Sequence, residues 1–239
     1  MPAEMPAAWP PPEACRHPLA VLVSGGVDSA VLLADAAQRF PRVHPLYVRT
    51  GLFWEEAELV HLRRYLQVLA GQLRTLQPLV VLQQPAGDLY GRHWSLSGQG
   101  VPAAGTPDAD VYLPGRNVLL LTKALLWCHL QRIKLLALAP LAANPFPDAT
   151  PAFFAAFAAA VGQAVRDQFI ILRPYAHWHK TEVLRQARHL PLHLTFSCIR
   201  PTAEGRHCGQ CSKCYERALA FQQAGVPDPT DYARAVPLP

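Results

Sequence analysis

Leu19-Ala20-Val21-Leu22-Val23-Ser24-Gly25-Gly26-Val27-Asp28-Ser29 decides how the rest of the chain is read. Five apolar residues in succession suit a strand buried on both faces, which belongs in a parallel sheet covered by helices. The next six residues form a glycine-rich turn, and the stretch from Ala30 to Gln38 has the pattern of a helix. A strand that runs through glycines into a helix N-terminus is a place for an anion. The glycines let the backbone approach, the first helical N–H groups lack partners, and Ser24 and Ser29 add hydroxyls. Asp28 suits a magnesium ion or the positioning of the loop better than direct phosphate contact. The plainer reading is a turn whose Ser and Asp only cap a helix. No Gly-Lys-Ser/Thr follows, so this is not a Walker A loop.

The same alternation repeats outward. Val43 to Val48, Leu79 to Leu82, Lys134 to Leu138 and Phe169 to Leu172 read as strands. Glu55 to Leu73, Val118 to Leu130, Ala152 to Val165 and Lys180 to Arg188 read as helices. Right-handed crossovers between them predict an α/β domain with a doubly wound parallel sheet over residues 18–194. Residues 1–17, rich in Pro and Ala, are expected to form a mobile arm, and residues 195–239 a small C-terminal zinc-binding segment. Residues 85–112 break the rhythm with Gly, Pro, Ser and Asp, and a loop of that length suggests a lid over the site.

The 239 residues are 51% hydrophobic, enough for a full core. No uncharged apolar run reaches the roughly 18 residues of a membrane span, and the start lacks the basic-then-apolar pattern of a signal peptide. A cytoplasmic protein is expected. The net charge of +5, from 22 basic and 17 acidic residues, is spread without a Lys/Arg-rich run or an aromatic–basic motif. It reads as a solvated surface, so neither membrane nor nucleic acid is an expected partner.

Four of the six cysteines, Cys198, Cys208, Cys211 and Cys214, follow a C-x9-C-x2-C-x2-C spacing. Four thiolates at that spacing satisfy a tetrahedral structural zinc ion, one per chain, with no open position. Disulfides and an iron–sulfur cluster draw on the same residues, although in a cytosolic chain this spacing more often binds metal. Cys15 and Cys128 read as ordinary thiols.

The hexapeptide Ser24–Ser29 after the first strand resembles the signature of PP-loop ATPases, the N-type ATP pyrophosphatases. That group has Rossmann-like, adenine nucleotide alpha hydrolase-like sheets; its members cleave ATP between the α- and β-phosphates and adenylate a substrate. Pro114-Gly115-Arg116-Asn117, Lys180-Thr181-Glu182, Thr195-Phe196-Ser197-Cys198, Cys208 to Cys214, Arg217, Ala224-Gly225 and Asp228-Pro229-Thr230 follow in order. Together they resemble the 7-cyano-7-deazaguanine synthase family over residues 19–232. The resemblance implies an enzyme that uses ATP with Mg²⁺ and ammonia to turn a deazapurine carboxylate into a nitrile for queuosine-type nucleosides. It implies ATP contacts from Ser24, Gly25, Gly26, Val27, Asp28, Ser29, Arg116 and Asn117, and catalytic roles for Asp28, Arg116 and Lys180. Taken alone, Arg116 and Lys180 are surface charges at helix starts. A homodimer is an assembly open to such a chain. Asp148 either binds substrate nitrogen or caps the helix that starts near Pro151.

Two segments depart from the family pattern. Arg49-Thr50-Gly51-Leu52-Phe53-Trp54 stands where the family has an Asp-Tyr-Gly-Gln-type stretch. Asn144 to Thr150 keeps Pro147 and Asp148, but Ala149 and Thr150 replace a Cys and an Arg. Both loops follow strands, where ligands of open α/β sheets bind, so the changes bear on the acceptor more than on ATP. The alternatives are a paralogue that adenylates another small molecule, a protein or a tRNA, and a nucleotide-binding module without turnover. His177 and His179, flanking Trp178, read either as metal or base groups or as packing and surface groups.

Overall fold

The computed structural model describes residues 9–239. Five parallel strands form one sheet: β1 (Leu19–Leu22), β2 (Val43–Arg49), β3 (Val80–Gln83), β4 (Leu135–Ala137) and β5 (Ile170–Leu172). Their order is β3-β2-β1-β4-β5. The chain winds outward from β1 on one side, then crosses to β4 and β5 on the other. This is the doubly wound sheet expected from the sequence. The reversal point between β1 and β4 leaves a crevice at the strands' carboxyl ends, where α/β sheets bind ligands.

Strand periodicity divides the core. Leu19, Val21, Val43, Tyr47, Leu135 and Ala137 face a layer built from α1 (Val27–Arg39), α2 (Glu55–Ala70), α7 (Lys180–Gln186) and α8 (Ser212–Ala224). The alternate residues Ala20, Leu46 and Leu136 face α5 (Arg116–Leu130) and α6 (Pro151–Val165). Both faces are covered, which is why these strands read as unbroken apolar runs. Each fully buried Leu or Val contributes about 1.5–3 kcal/mol by leaving water. Helix α6 turns Phe154, Ala158 and Gly162 inward, and Thr150 caps it by accepting from the Phe153 N–H at 3.2 Å.

Several boundaries shift. Helix α1 begins at Val27 inside the glycine turn, α5 begins at Arg116, and α2 ends at Ala70. Helix α8 was not expected. Residues 85–112 hold two one-turn helices, α3 (Gly87–Tyr90) and α4 (Trp94–Ser97), and a 3-10 turn at Asp108–Val111. Of the arm expected over residues 1–17, residues 1–8 lie outside the described part. From Trp9 the chain is packed rather than free. The Trp9 indole donates to Asp35 Oδ2 at 2.6 Å, its ring lies 5.6 Å from that of Phe40, and Ala14 is buried in a 3-10 turn. Among the described residues no helix is long and apolar enough to cross a membrane.

Candidate nucleotide cleft and cysteine centre

The turn after β1 is braced from within and from both sides. Ser24 N–H donates to Ser29 Oγ at 3.2 Å, and Ser29 Oγ donates to Gly26 O at 3.1 Å. Gly25 has φ +76°, and a Cβ there would lie 3.1 Å from Glu58 Cγ, so the left-handed backbone and the close approach of α2 both require glycine. Phe196 N–H donates to Gly25 O at 2.8 Å, which fastens the cysteine-bearing segment directly to the loop. Gly26 is the N-cap of α1, whose first N–H groups open toward the crevice.

Lys180, at the start of α7, reaches Asp28 across the mouth of this turn. Its Nζ lies 3.0 Å from Asp28 Oδ2 and 3.3 Å from Glu216 Oε1, and Glu216 Oε2 pairs with Lys213 Nζ at 2.6 Å. Burial pulls the Lys180 ammonium toward neutrality, but the two carboxylates outweigh it and hold its pKa above the usual lysine range. Burial would raise the Glu216 carboxyl, yet Lys180 and Lys213 bring it down to about 2. Lys180 and Glu216 are therefore both charged at neutral pH.

Two cavities meet at the turn. The larger, about 800 Å³, runs from the turn past Lys180 to Ser212 and Lys213. The smaller, about 220 Å³, lies over the carboxyl ends of β1 and β2 and is lined by Tyr47, Arg116, Asn117 and Leu120. Buried polar atoms normally have partners, because leaving one unpaired costs about 1–3 kcal/mol. Four buried side-chain atoms lack one among the described residues: Asp28 Oδ1, Arg116 Nε, Ser212 Oγ and His61 Nδ1. The first three belong to residues lining the larger cavity. An anion together with its cation fits such a donor set.

Arg116 and Asn117 open α5 and line the smaller cavity, as does the glycine turn. Asp148 is placed elsewhere. It is buried, it accepts from Asn117 N–H at 3.0 Å, and its backbone carbonyl accepts from Asn117 Nδ2 at 2.8 Å. It lines neither cavity and caps α5 instead of α6, so the acceptor-binding role expected of it has no geometric support. His179 caps α7 and lines the larger cavity, with its backbone N–H donating to Glu182 Oε2 at 2.7 Å.

Glu58, Tyr47, Glu216 and Lys213 are cleft residues that the sequence reading did not single out. Glu58 lines both cavities while buried, and accepts from Tyr47 Oη at 2.5 Å. Burial raises its carboxyl to about 8, against the opposing effects of the Tyr47 hydrogen bond and Arg116. A signal was available: Glu58 falls beside Leu59, Leu62, Tyr65 and Leu69 on the apolar stripe of α2, where an acid is out of place.

Cys198, Cys208, Cys211 and Cys214 converge, with all four sulfurs within 4.8 Å of one another. Cys198 and Cys211 stand 3.8 Å apart, and Cys208 and Cys214 3.9 Å. A tetrahedron with metal–sulfur bonds of about 2.3 Å has edges of about 3.8 Å, so this group could hold a metal ion without rearrangement. Backbone N–H groups of Arg200 and Cys208 donate to Cys198 Sγ at 3.3 Å, which favours thiolate. At Gly209 a Cβ would sit 1.9 Å from Arg234 O, so the turn between the ligands must be glycine for the C-terminal tail to cross it. Arg217, buried in α8, donates to Leu192 O at 3.0 Å, Thr195 Oγ1 at 2.9 Å and Thr230 Oγ1 at 2.6 Å. The cysteine segment and the sheet domain thus form one packed unit.

The family model described as queuosine biosynthesis protein QueC matches residues 19–225. The chain belongs to the QueC family. The 7-cyano-7-deazaguanine synthase of Thiobacillus denitrificans is 33% identical over 224 residues, covering 90% of this chain and 97% of that protein. The enzyme of the same name from Xanthomonas euvesicatoria is 33% identical over 229 residues, covering 89% and 96%. Among solved structures, a 4-thiouridine synthetase–RNA complex with bound ATP aligns with a TM-score of 0.46 and 16% identity over 87% of this chain and 50% of that one. NMN synthetase from Francisella tularensis aligns with a TM-score of 0.46 and 11% identity over 90% and 82%. Superpositions this loose carry no argument. The QueC assignment rests on the sequence match, and the glycine turn, Arg116, Lys180 and the cysteines all lie inside the matched span.

Proposed function

We propose that this chain is an ATP-dependent ligase that adenylates the carboxylate of 7-carboxy-7-deazaguanine and, with ammonia, carries it to 7-cyano-7-deazaguanine. The carrying observation is the Asp28–Lys180 pair across the glycine turn, beside the unpartnered Asp28 Oδ1 and Arg116 Nε. The turn from Ser24 to Ser29 presents helix N–H groups to the phosphates, and Arg116 and Asn117 flank the nucleotide. Asp28 would hold the Mg²⁺ that accompanies ATP, an ion that would screen the charge of the departing pyrophosphate. A carboxylate oxygen attacks the α-phosphorus, the bond to the β-phosphate oxygen breaks, and pyrophosphate leaves with its charge met by Lys180, Arg116 and the turn. Ammonia then displaces AMP to give the amide, and a second activation removes the amide oxygen to give the nitrile. The four cysteines hold one zinc ion, closed and structural, which fastens the wall of the cleft.

The test is a reaction of purified protein with ATP, Mg²⁺, ammonium and 7-carboxy-7-deazaguanine. The nitrile should be detected by mass, together with AMP and pyrophosphate. Asp28→Asn and Lys180→Ala should each slow it by about 10²–10³-fold, the scale of losing one aligned electrostatic partner. Tight ATP binding with no amide, nitrile or adenylate would remove the deazaguanine assignment and direct attention to other acceptors.

A further inference from the structure

The cleft contains one carboxyl group that none of the roles above uses. Asp28 pairs with Lys180, Glu216 with Lys180 and Lys213, and Glu55 with Arg49. Glu58 has no ion pair among the described residues; its one hydrogen-bond partner there is the Tyr47 hydroxyl. A buried carboxyl without a cation is costly when ionised, so it stays protonated or takes up a cation. The charged and titratable groups that face it are Tyr47 from β2, Glu55 from its own helix and Arg116 from α5. The Asp28–Lys180 pair lines the same cavity.

Position gives this group a use. The residues that line both cavities include Ser24, Gly26, Asp28, Glu58 and Arg116. With the nucleoside in the smaller cavity, and the departing pyrophosphate beside Lys180 and the acceptor both in the larger, the shared residues surround the α-phosphate and the carbonyl bonded to it. Glu58 is the unpaired carboxyl at that junction. We propose that Glu58, braced by Tyr47, is the site that receives ammonium and takes its proton so that neutral ammonia can attack the acyl-adenylate. This deepens the ligase reading above and rests on it. Ammonium gives one proton to the Glu58 carboxylate. The nitrogen lone pair then forms the C–N bond, the C–O bond to AMP breaks, and AMP leaves with that electron pair. The amide nitrogen sheds its extra proton to water, and Glu58 returns its own proton to solvent for the next turnover. Burial, which lifts the carboxyl to about 8, brings it nearer to ammonium in proton affinity and makes the transfer less uphill.

The experiment separates the two half-reactions. Glu58→Gln keeps the shape and the Tyr47 hydrogen bond but cannot accept a proton. With 7-carboxy-7-deazaguanine, ATP–pyrophosphate exchange reports adenylation, which needs no ammonium. Amide formation reports the transfer. The variant should keep exchange while amide formation from ammonium falls about 10²-fold or more. Hydroxylamine, already neutral at pH 7.5, should form the hydroxamate equally well with either protein. Tyr47→Phe, which removes a hydrogen bond to the carboxylate, should move the rising limb of the amidation pH profile to higher pH. Unchanged amidation by Glu58→Gln, or equal loss with ammonium and hydroxylamine, would overturn the proposal. Loss of exchange in the variant would make Glu58 a support of the glycine turn and would overturn it also. Absence of exchange in the unaltered protein would sink the ligase reading, and this proposal with it.

Discussion

At the scale of single residues, Gly25 and Gly26 are both small for different reasons. Gly25 sits in the left-handed region against Glu58, so Gly25→Ala should destabilise the fold by about 1–2 kcal/mol, read as a lowered melting temperature. Gly26 has ordinary φ of −69°, and a Cβ there would meet only Ser24 Oγ at 3.4 Å and Phe196 O at 3.8 Å. Gly26→Val should therefore fold, but its branched side chain would stand where phosphate approaches, and calorimetry should show ATP binding lost. Unchanged ATP affinity would mean the turn is not the nucleotide site. Glu58 makes a pH prediction of its own. Its folded pKa of about 8 lies above the ordinary glutamate value of 4.5, so between those values the folded chain holds a proton that the unfolded chain releases. Stability from this group is fully present below about 4.5 and is lost as pH rises through about 8. Denaturant melts of Glu58→Gln should lose that downward slope, a difference of a few kcal/mol, whereas parallel slopes in both proteins would show Glu58 to be ionised in the fold.

At the scale of elements, the ends of helices carry much of the site. Helix α5 begins with Arg116 and Asn117 at the cleft because Asp148, from a distant turn, accepts the Asn117 N–H. Asp148→Ala should cost about 1–2 kcal/mol in a thermal melt and weaken nucleotide binding through misplacement of Arg116. Its binding partner was not legible in the sequence, because a cap supplied from a residue remote in the chain has no local signature. The capping preference of Asp pointed to the neighbouring α6, which Thr150 caps instead. Strands β1 to β5 were legible because burial on both faces makes their sequences continuous apolar runs. Helix α8 was not, because its first turn is spent on cysteines and its inward residues, Ala218, Ala220, Phe221 and Ala224, share their face with the polar Arg217. The Lys213–Glu216 pair stayed hidden with it.

At the scale of the whole molecule, sheet, glycine turn and cysteine centre form one device. The centre holds the cleft's far wall. Ala103 bridges to Cys211, Ala104 N–H donates to Gln210 O at 3.1 Å, and Ser212 N–H donates to Pro102 O at 2.9 Å. The long loop expected as a lid is thus tied down at its middle, while Gly105 and Thr106 line the larger cavity. Elemental analysis should find one zinc per chain. Cys211→Ser should lose it and expose residues near 101–106 to proteolysis, because the metal and the loop share that cysteine's turn. Iron with visible absorbance would contradict the zinc assignment. The glycine turn, Arg116 and Lys180 could be read from local motifs; the opposite walls could not, since only three-dimensional placement brings Asn144, Pro145 and Phe146 to the larger cavity and leaves Arg49 to Trp54 outside both. The most direct measurement of the central claim is therefore the fate of the acceptor's own oxygen. With 7-carboxy-7-deazaguanine labelled with heavy oxygen in its carboxylate, the account predicts that the label appears in AMP as amide forms. Label found in inorganic phosphate with ADP, or AMP released without label, would contradict adenylation of this carboxylate.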